Sequence, residues 1–331
     1  MNSIRAHAPG RCGIVGNPTD MYGGSVISCS TQERAECRIS PGGSGITLVN
    51  GEISQTITDA AQLKLCGDML DIARSALQFF DVDPARTNMR LETATTIPMR
   101  AGLAGSTALL AAIVGALDAY LGLNQNSYLL AENTRRIESG VMGIVCGHQD
   151  QHMAVFGGLN FMNFAGKESL KQSKDEPLAT IEPLCNRCTP PQLLLAHTGI
   201  QHHSGTVHKS PRERWLAGDP DVRAAYARIA QLAPAGKRAI IEGNWHYLGE
   251  LMNENHEIVA RLGGSGEAND RLIQAARNAG ALGAKLAGAG GGGTIIALVE
   301  DFQGVTAALT AAGAEQILVP LPQPGLTVEI Q

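Results

Sequence analysis

Apolar and polar positions alternate in short runs through the first 55 residues, cut by Pro and Gly. This period-two pattern predicts strands over 4–8, 25–30, 35–39 and 46–49. The period then lengthens. Leu65, Met69, Leu70, Ile72, Ala73, Leu77 and Phe80 recur at close to helical spacing and predict a helix over 60–80. A strand over 88–96 follows. Residues 106–121, rich in Ala, Leu and Val, predict a helix buried on most sides. A further helix is expected over 127–139, and apolar residues on both sides of Gly157-Gly158 predict a hairpin over 153–164.

Between 167 and 190 the chain turns polar and proline-bearing and loses all periodicity, which marks a domain boundary dividing 1–190 from 191–331. Beyond it come a short apolar strand over 192–197 and helices over 210–232, 236–261 and 267–280. Strands over 282–287 and 293–299 flank a glycine-rich run, 288–293. Strands and helices alternate without a strict βαβ rhythm, so the class is α+β rather than a doubly wound sheet.

Composition narrows the function. The 331 residues, 44% apolar and 17% charged, suit a globular protein of two modest domains. A formal net charge of −5 and the lack of a basic run argue against a nucleic-acid partner. No apolar stretch approaches the roughly 20 residues of a membrane span, and the N-terminus has no apolar signal core. A cytoplasmic protein is expected. Seven cysteines at irregular spacing suit a reducing compartment. Cys185 and Cys188 have no second pair or His pair at ligand spacing, and read as a chance pair in a loop.

The chemistry concentrates in the first of the chain's two glycine-rich runs, Pro98, Met99, Arg100, Ala101, Gly102, Leu103, Ala104, Gly105, Ser106 and Thr107, lying between a strand and a long helix. A strand emptying through small residues into a helix start aims free N–H groups at one point, a seat for phosphate. The hydroxyls of Ser106 and Thr107 can reach a phosphate oxygen or a bound Mg²⁺. A tight loop with an ordinary Ser/Thr cap is the other reading. Gly105 stands where a Walker loop needs Lys, and the spacing does not fit a dinucleotide fingerprint.

Taken together, residues 8–20 (Ala-Pro-Gly-Arg-Cys-Gly-Ile-Val-Gly-Asn-Pro-Thr-Asp), 98–108 and 285–294 resemble, in order and spacing, the three signatures of the GHMP kinases. One departure is Ala104-Gly105-Ser106-Thr107, where many members show Gly-Ser-Ser-Ala. The stretch from Glu138 to Asp150 resembles the segment of galactokinases that carries a metal-binding Glu and, twelve residues on, the catalytic Asp. The resemblance implies a two-domain α+β fold, with an N-terminal half like ribosomal protein S5 domain 2, a ferredoxin-like C-terminal half and the active site in the cleft between them. It implies ATP bound by the 98–107 run, Mg²⁺ held by Ser106 and Glu138, and Asp150 taking the proton from a sugar hydroxyl. Arg11 would sit beside Asp150 and keep it ionised. Each residue also has a plain structural reading: Asp150 a turn residue, Glu138 a solvated helix-end charge, Arg11 a partner to a surface carboxylate. Lys285 reads as a surface lysine at a strand end.

Residues 16–20, 102–107, 147–150, 156–159, 204–215 and 251–255 resemble the glucuronokinases, which phosphorylate glucuronic acid at its anomeric oxygen. By that resemblance Asn17, Asp20, Gly147, Lys209, Arg212 and Gly290 would touch the substrate. Galactokinases have Glu-His where this chain has Asn17-Pro18. A carboxylate there would repel a uronate, whereas an amide can donate to it. The basic cluster of His203, His208, Lys209, Arg212 and Arg214 offers a clamp for the substrate carboxylate. His148 and Gln151 depart from the Leu and Arg expected of the plant enzymes. A heptose phosphate or a galactose-like hexose is the alternative substrate, and a non-catalytic sugar sensor the alternative function.

Overall fold

The computed structural model describes residues 3–98, 100–167, 176–185, 188–200, 209–288 and 293–331. The first half builds a sheet from β1 (Ile4–Val15), β2 (Ser25–Pro41), β3 (Ile46–Asn50) and β4 (Ile53–Ile57). After α1 (Asp71–Phe79) come β5 (Met89–Thr95), α2 (Gly105–Leu121), α3 (Ser127–Arg136), α4 (Gln149–Phe156), β6 (Leu159–Asn163) and β7 (Thr180–Pro183). The second half comprises β8 (Leu193–His197), α5 (Lys209–Leu216), α6 (Pro220–Glu242), α7 (Trp245–Arg261), α8 (Glu267–Asn278), β9 (Gly283–Leu286), β10 (Thr294–Leu298), α9 (Phe302–Ala311), β11 (Gln316–Leu318) and β12 (Thr327–Ile330).

Two sheets result. The larger runs β12-β1-β2-β5-β3-β4, with β6 on the other stretch of β2 and β7 beyond it; the smaller is antiparallel in the order β11-β8-β10-β9. The last strand of the chain thus returns to the first sheet. Helix α2 is buried from Thr107 to Asp118, as its lack of a polar face predicts, and packs on β1 and β2. One face of the small sheet, Leu193, Leu195, Ile296 and Leu298, joins the main core together with Ile240, Leu248 and Met252 of α6 and α7. Its other face, Leu194, Ala196, Ile295 and Ala297, packs on Leu272, Ile273, Val305 and Leu309 of α8 and α9. The two sheets are therefore joined by continuous apolar packing.

Four expectations are corrected. The helix over 60–80 breaks into a 3₁₀ turn at Ala60–Leu63 and α1, because the Asp71 carboxylate accepts the N–H groups of Cys66 (2.9 Å) and Gly67 (2.6 Å) and starts a new helix. The strands over 25–30 and 35–39 are one strand, whose polar middle lies where β2 passes from β6 to β5. The hairpin over 153–164 is instead the end of α4 turning at Gly157 into β6, since a short apolar run does not distinguish helix from strand. Finally, α6 continues through Pro234 and the break comes at Gly243-Asn244, where the Asn244 side chain caps α7. Burial of Tyr226, Ile229, Leu232, Ala239 and Ile240 along α6 outweighs the proline penalty of about 3 kcal/mol. Among the described residues no helix is long and apolar enough to cross a membrane.

Helix α7 touches β9 backbone to backbone. A Cβ on Gly249 would collide with the Leu282 carbonyl, and one on Gly283 would stand 2.5 Å from the Gly249 oxygen. Gly249→Ala must lift the helix from the strand. Urea denaturation should register a loss of about 1–3 kcal/mol, and an unchanged midpoint would show the contact to be loose.

Candidate active site

Strand β1 carries Arg11 into the junction between the sheets. A register shift between Pro9 and Arg11 bends the strand at that residue. The Arg11 N–H donates to the Leu103 carbonyl at 3.0 Å, and its guanidinium donates to the Gly102 carbonyl at 2.6 Å. The same guanidinium makes a two-point pair with Asp150, Nε to Oδ1 at 2.7 Å and Nη2 to Oδ2 at 2.9 Å. Arg11 is 9% exposed and Asp150 31%, so the pair has one buried partner and one that faces the cleft. Residues 11, 102 and 150 are thereby brought together across the whole N-terminal half.

The glycine-rich run enters α2 through a contorted backbone. Arg100, Gly102 and Ala104 all adopt left-handed φ values, +55°, +75° and +59°. For Arg and Ala this conformation is strained and persists because the surroundings over-determine it. Ala104, with no side-chain cap, is the N-cap residue of α2. The N–H groups of Gly105, Ser106 and Thr107 make no hydrogen bond among the described residues, and Ala101 and Leu103 are buried beneath the run. Free N–H groups at the positive end of a 17-residue helix form an anion seat. Ser106 is exposed at its mouth. The second glycine-rich run approaches here too, since a Cβ on Gly288 would lie 2.6 Å from the Gly102 oxygen.

Three carboxylates converge on the same region. Glu138, in a π-helical turn that continues α3, accepts from the Thr107 hydroxyl at 3.0 Å and from the Gln151 amide at 2.7 Å. Burial pushes its carboxyl up to about 7 against the Gln151 bond, and the charge of Asp150 adds to the rise. Asp20 accepts the N–H groups of His148 (2.8 Å) and Gln149 (3.0 Å) at the start of α4. Gly147 is required there, because any Cβ would collide with the Asp20 carboxylate. Burial raises the Asp20 carboxyl as well. Among the described residues no three His, Cys, Asp or Glu gather as a metal cage. Mg²⁺ needs none, since it takes one or two carboxylates and fills its octahedron with phosphate oxygens and water. Glu138 and the Ser106 hydroxyl supply oxygen donors of that kind, and a cation there would relieve the repulsion between Glu138 and Asp150.

The turn after β1 places Asn17. Its carbonyl accepts from Asn255 Nδ2 at 3.1 Å, and Asn255 Oδ1 accepts the Gly16 N–H at 2.8 Å. Lys285 is not the surface residue expected: it is 1% exposed, because the end of β9 meets β1, where the Gly13 N–H donates to the Ala287 carbonyl at 3.0 Å, and its ammonium donates to Asn17 Oδ1 at 2.8 Å. Asn17, Pro18, Pro211, Tyr226, His256 and Lys285 line an open pocket between the turn and α5 to α7. The sequence marks neither Asn255 nor His256 as a site residue; only the run 251–255 carries a resemblance, and no local pattern shows that an Asn side chain there pairs with a turn 239 residues away.

Behind α4 lies a buried polar layer. Lys167 pairs with Glu132 at 2.8 Å, and His152 approaches the same carboxylate at 3.5 Å. Burial alone would raise Glu132, yet bonds from His152 and Lys167 bring it down to about 2. His148 stacks on Phe164, and burial holds its imidazole neutral. The basic cluster of the second half is only partly described. Arg214 pairs with Asp219 at 2.7 Å, Arg212 has a buried Nε without a partner among the described residues, and Lys209 lies in the first turn of α5. The Lys209 side chain, His203, His208 and Gly290 lie outside the described residues.

Residues 69–158 match the GHMP kinases N terminal domain, and residues 237–316 match the GHMP kinases C terminal region. The chain is a GHMP kinase. Members are ATP-dependent phosphotransferases with an alcohol acceptor, as the resemblance implied. This kinase is 27% identical to mevalonate kinase of Pyrococcus horikoshii over 98% of both chains. It is 28% identical to glucuronokinase 1 of Arabidopsis thaliana over 85% of this chain and 81% of that one. Its fold matches Lactococcus lactis galactokinase complexed with galactose (TM-score 0.80, 18% identity, 98% and 95% covered). It also matches a D-glycero-D-manno-heptose 1-phosphate kinase (TM-score 0.74, 21% identity, 98% of both). The two-domain α+β expectation holds.

Two outcomes follow from this geometry. Asn255→Ala leaves the Gly16 N–H and the Asn17 carbonyl buried and unpaired, and should lower unfolding free energy by at least about 2 kcal/mol; chemical denaturation measures it. His256 is held down to about 4 by burial, with Arg277 and Lys285 adding to it against the pull of Asp270. The unfolded chain therefore takes up this proton first, and stability falls as pH is lowered from 6.5 to about 4. His256→Gln should flatten that part of the pH profile of the urea midpoint, and an unaltered profile would refute the assignment.

Proposed function

We propose that this GHMP kinase transfers the γ-phosphoryl group of ATP, with Mg²⁺, to the anomeric hydroxyl of glucuronic acid. The observation that carries the reading is the Arg11–Asp150 pair beside the free N–H groups of α2. In this reading the glycine-rich run, with Ser106 and Thr107, cradles the phosphates, and Ser106 and Glu138 hold the cation, which neutralises phosphate charge. Asp150 accepts the acceptor hydroxyl's proton. The freed oxygen bonds to the γ-phosphorus, the bond from phosphorus to the β,γ-bridging oxygen breaks, and ADP departs with that electron pair. Arg11 holds Asp150 at a fixed orientation. Asn17 and Asp20 address the sugar from the turn after β1, with Gly147 letting Asp20 approach α4.

A second acceptor has its own support, because the similarity to the mevalonate kinases spans 98% of the chain. Glucuronic and mevalonic acids are both hydroxy acids, so either reading asks for a site that accepts a carboxylate. A sensor has no need of the paired base, and retention of Arg11, Glu138 and Asp150 together speaks for turnover. Seven free thiols support a reducing, cytoplasmic setting.

A coupled ADP-release assay across glucuronate, galactose, heptose phosphate and mevalonate tests the reading; glucuronate should give the highest kcat/KM, and binding without turnover of any acceptor would overturn it. Asp150→Asn should lower kcat at least about 100-fold while the affinity for ATP, read by calorimetry, moves by less than about threefold. Equal losses in both would deny Asp150 the role of base.

A further inference from the structure

Lys285 carries a buried positive charge with no carboxylate partner among the described residues. Its ammonium donates to the Gly13 carbonyl (3.3 Å), Asn17 Oδ1 (2.8 Å) and the Leu286 carbonyl (2.5 Å), all neutral acceptors. Burial accordingly pulls its pKa down to about 7, a shift that an arriving carboxylate would reverse by favouring the ammonium. An ammonium has donors only, so this contact leaves the Asn17 amide one orientation. Its oxygen faces Lys285 and its NH₂ group points away. That Nδ2 makes no hydrogen bond among the described residues and is not among the buried atoms sealed from solvent. Asn17 and Lys285 line the pocket walled by Pro18, Pro211, Tyr226 and Leu286.

We propose that Lys285 is a positioning residue for substrate selection: it locks Asn17 as an outward donor and leaves the polar end of this pocket net positive, so that it takes the carboxylate of a hydroxy-acid acceptor. The inference rests on the reading above that the acceptor carries a carboxylate. A neutral sugar gains only the hydrogen bond from Nδ2. A carboxylate gains that bond in its stronger, charge-assisted form together with the field of an ammonium that no carboxylate among the described residues neutralises. Were residue 17 itself acidic, it would pair with Lys285, cancel the charge and present an acceptor to the pocket. The single exchange of carboxylate for amide thus inverts what the pocket prefers.

Asn17→Asp is the direct test, since it keeps a partner for Lys285 and so preserves the fold. It should lower the ratio of kcat/KM for glucuronate over glucose at least about tenfold, with the loss in the KM for glucuronate rather than in kcat. Lys285→Met frees the amide and removes the charge, and should lower the same ratio; in the double variant the effects should not add, because both act through one contact. A merely structural Lys285 would change melting temperature and leave the ratio alone. If the natural chain uses glucuronate and Asn17→Asp keeps the ratio within about twofold, the inference falls and the kinase reading stands. If the natural chain prefers neutral acceptors, the reading of a carboxylate substrate falls first and takes the inference with it.

Discussion

One guanidinium ties the site together. Arg11 grips both oxygens of Asp150 and the carbonyl of Gly102, so β1, the run before α2 and the start of α4 share a single anchor. The segments it joins are 139 residues apart. Because Arg11 is the buried partner, loss of Asp150 strands its guanidinium, a penalty of up to about 3–5 kcal/mol in comparable settings. That anchor ties the bend in β1, the left-handed residues of the run and the start of α4 to one another.

Around it the electrostatics are uneven. Asp20, Glu138 and Asp150 crowd one side with Arg11 as their shared cation, and burial raises the first two. On that side the three carboxylates outnumber the one guanidinium, which suits a ligand arriving with a cation. On the other side of the turn the sign reverses, because Lys285 is buried among neutral carbonyls and an amide. Between these poles the N–H groups of α2 contribute a fixed partial positive charge. In the proposed reading, a phosphorylated nucleotide with its cation and an acidic acceptor are matched by different poles of one site.

Precision in such a site depends on what lies behind it. Helix α4 is short, eight residues, and is held by Asp20 at its N-terminus and by the Lys167–Glu132–His152 group along its buried side. Rigid support of this kind holds Asp150 in one place beside Arg11, as the proposed role of base requires.

What the residues alone determined is local: the α+β class, the two glycine-rich runs, the helix that follows the first, and Arg11, Glu138 and Asp150 as chemistry-bearing types at family spacing. Small residues before a helix and apolar periodicity constrain a few neighbouring residues, so they are legible without a fold. Tertiary packing decided the rest. It carried α6 through Pro234 because the buried face outweighs one lost hydrogen bond, and made helix of the apolar run that reads as a hairpin arm. It also set Thr107 rather than Ser106 against Glu138. Above all it buried Lys285, which by its neighbours in sequence is an ordinary strand-end lysine. Whether an ionisable group is solvated depends on segments hundreds of residues away, and only the folded chain brings those to its side.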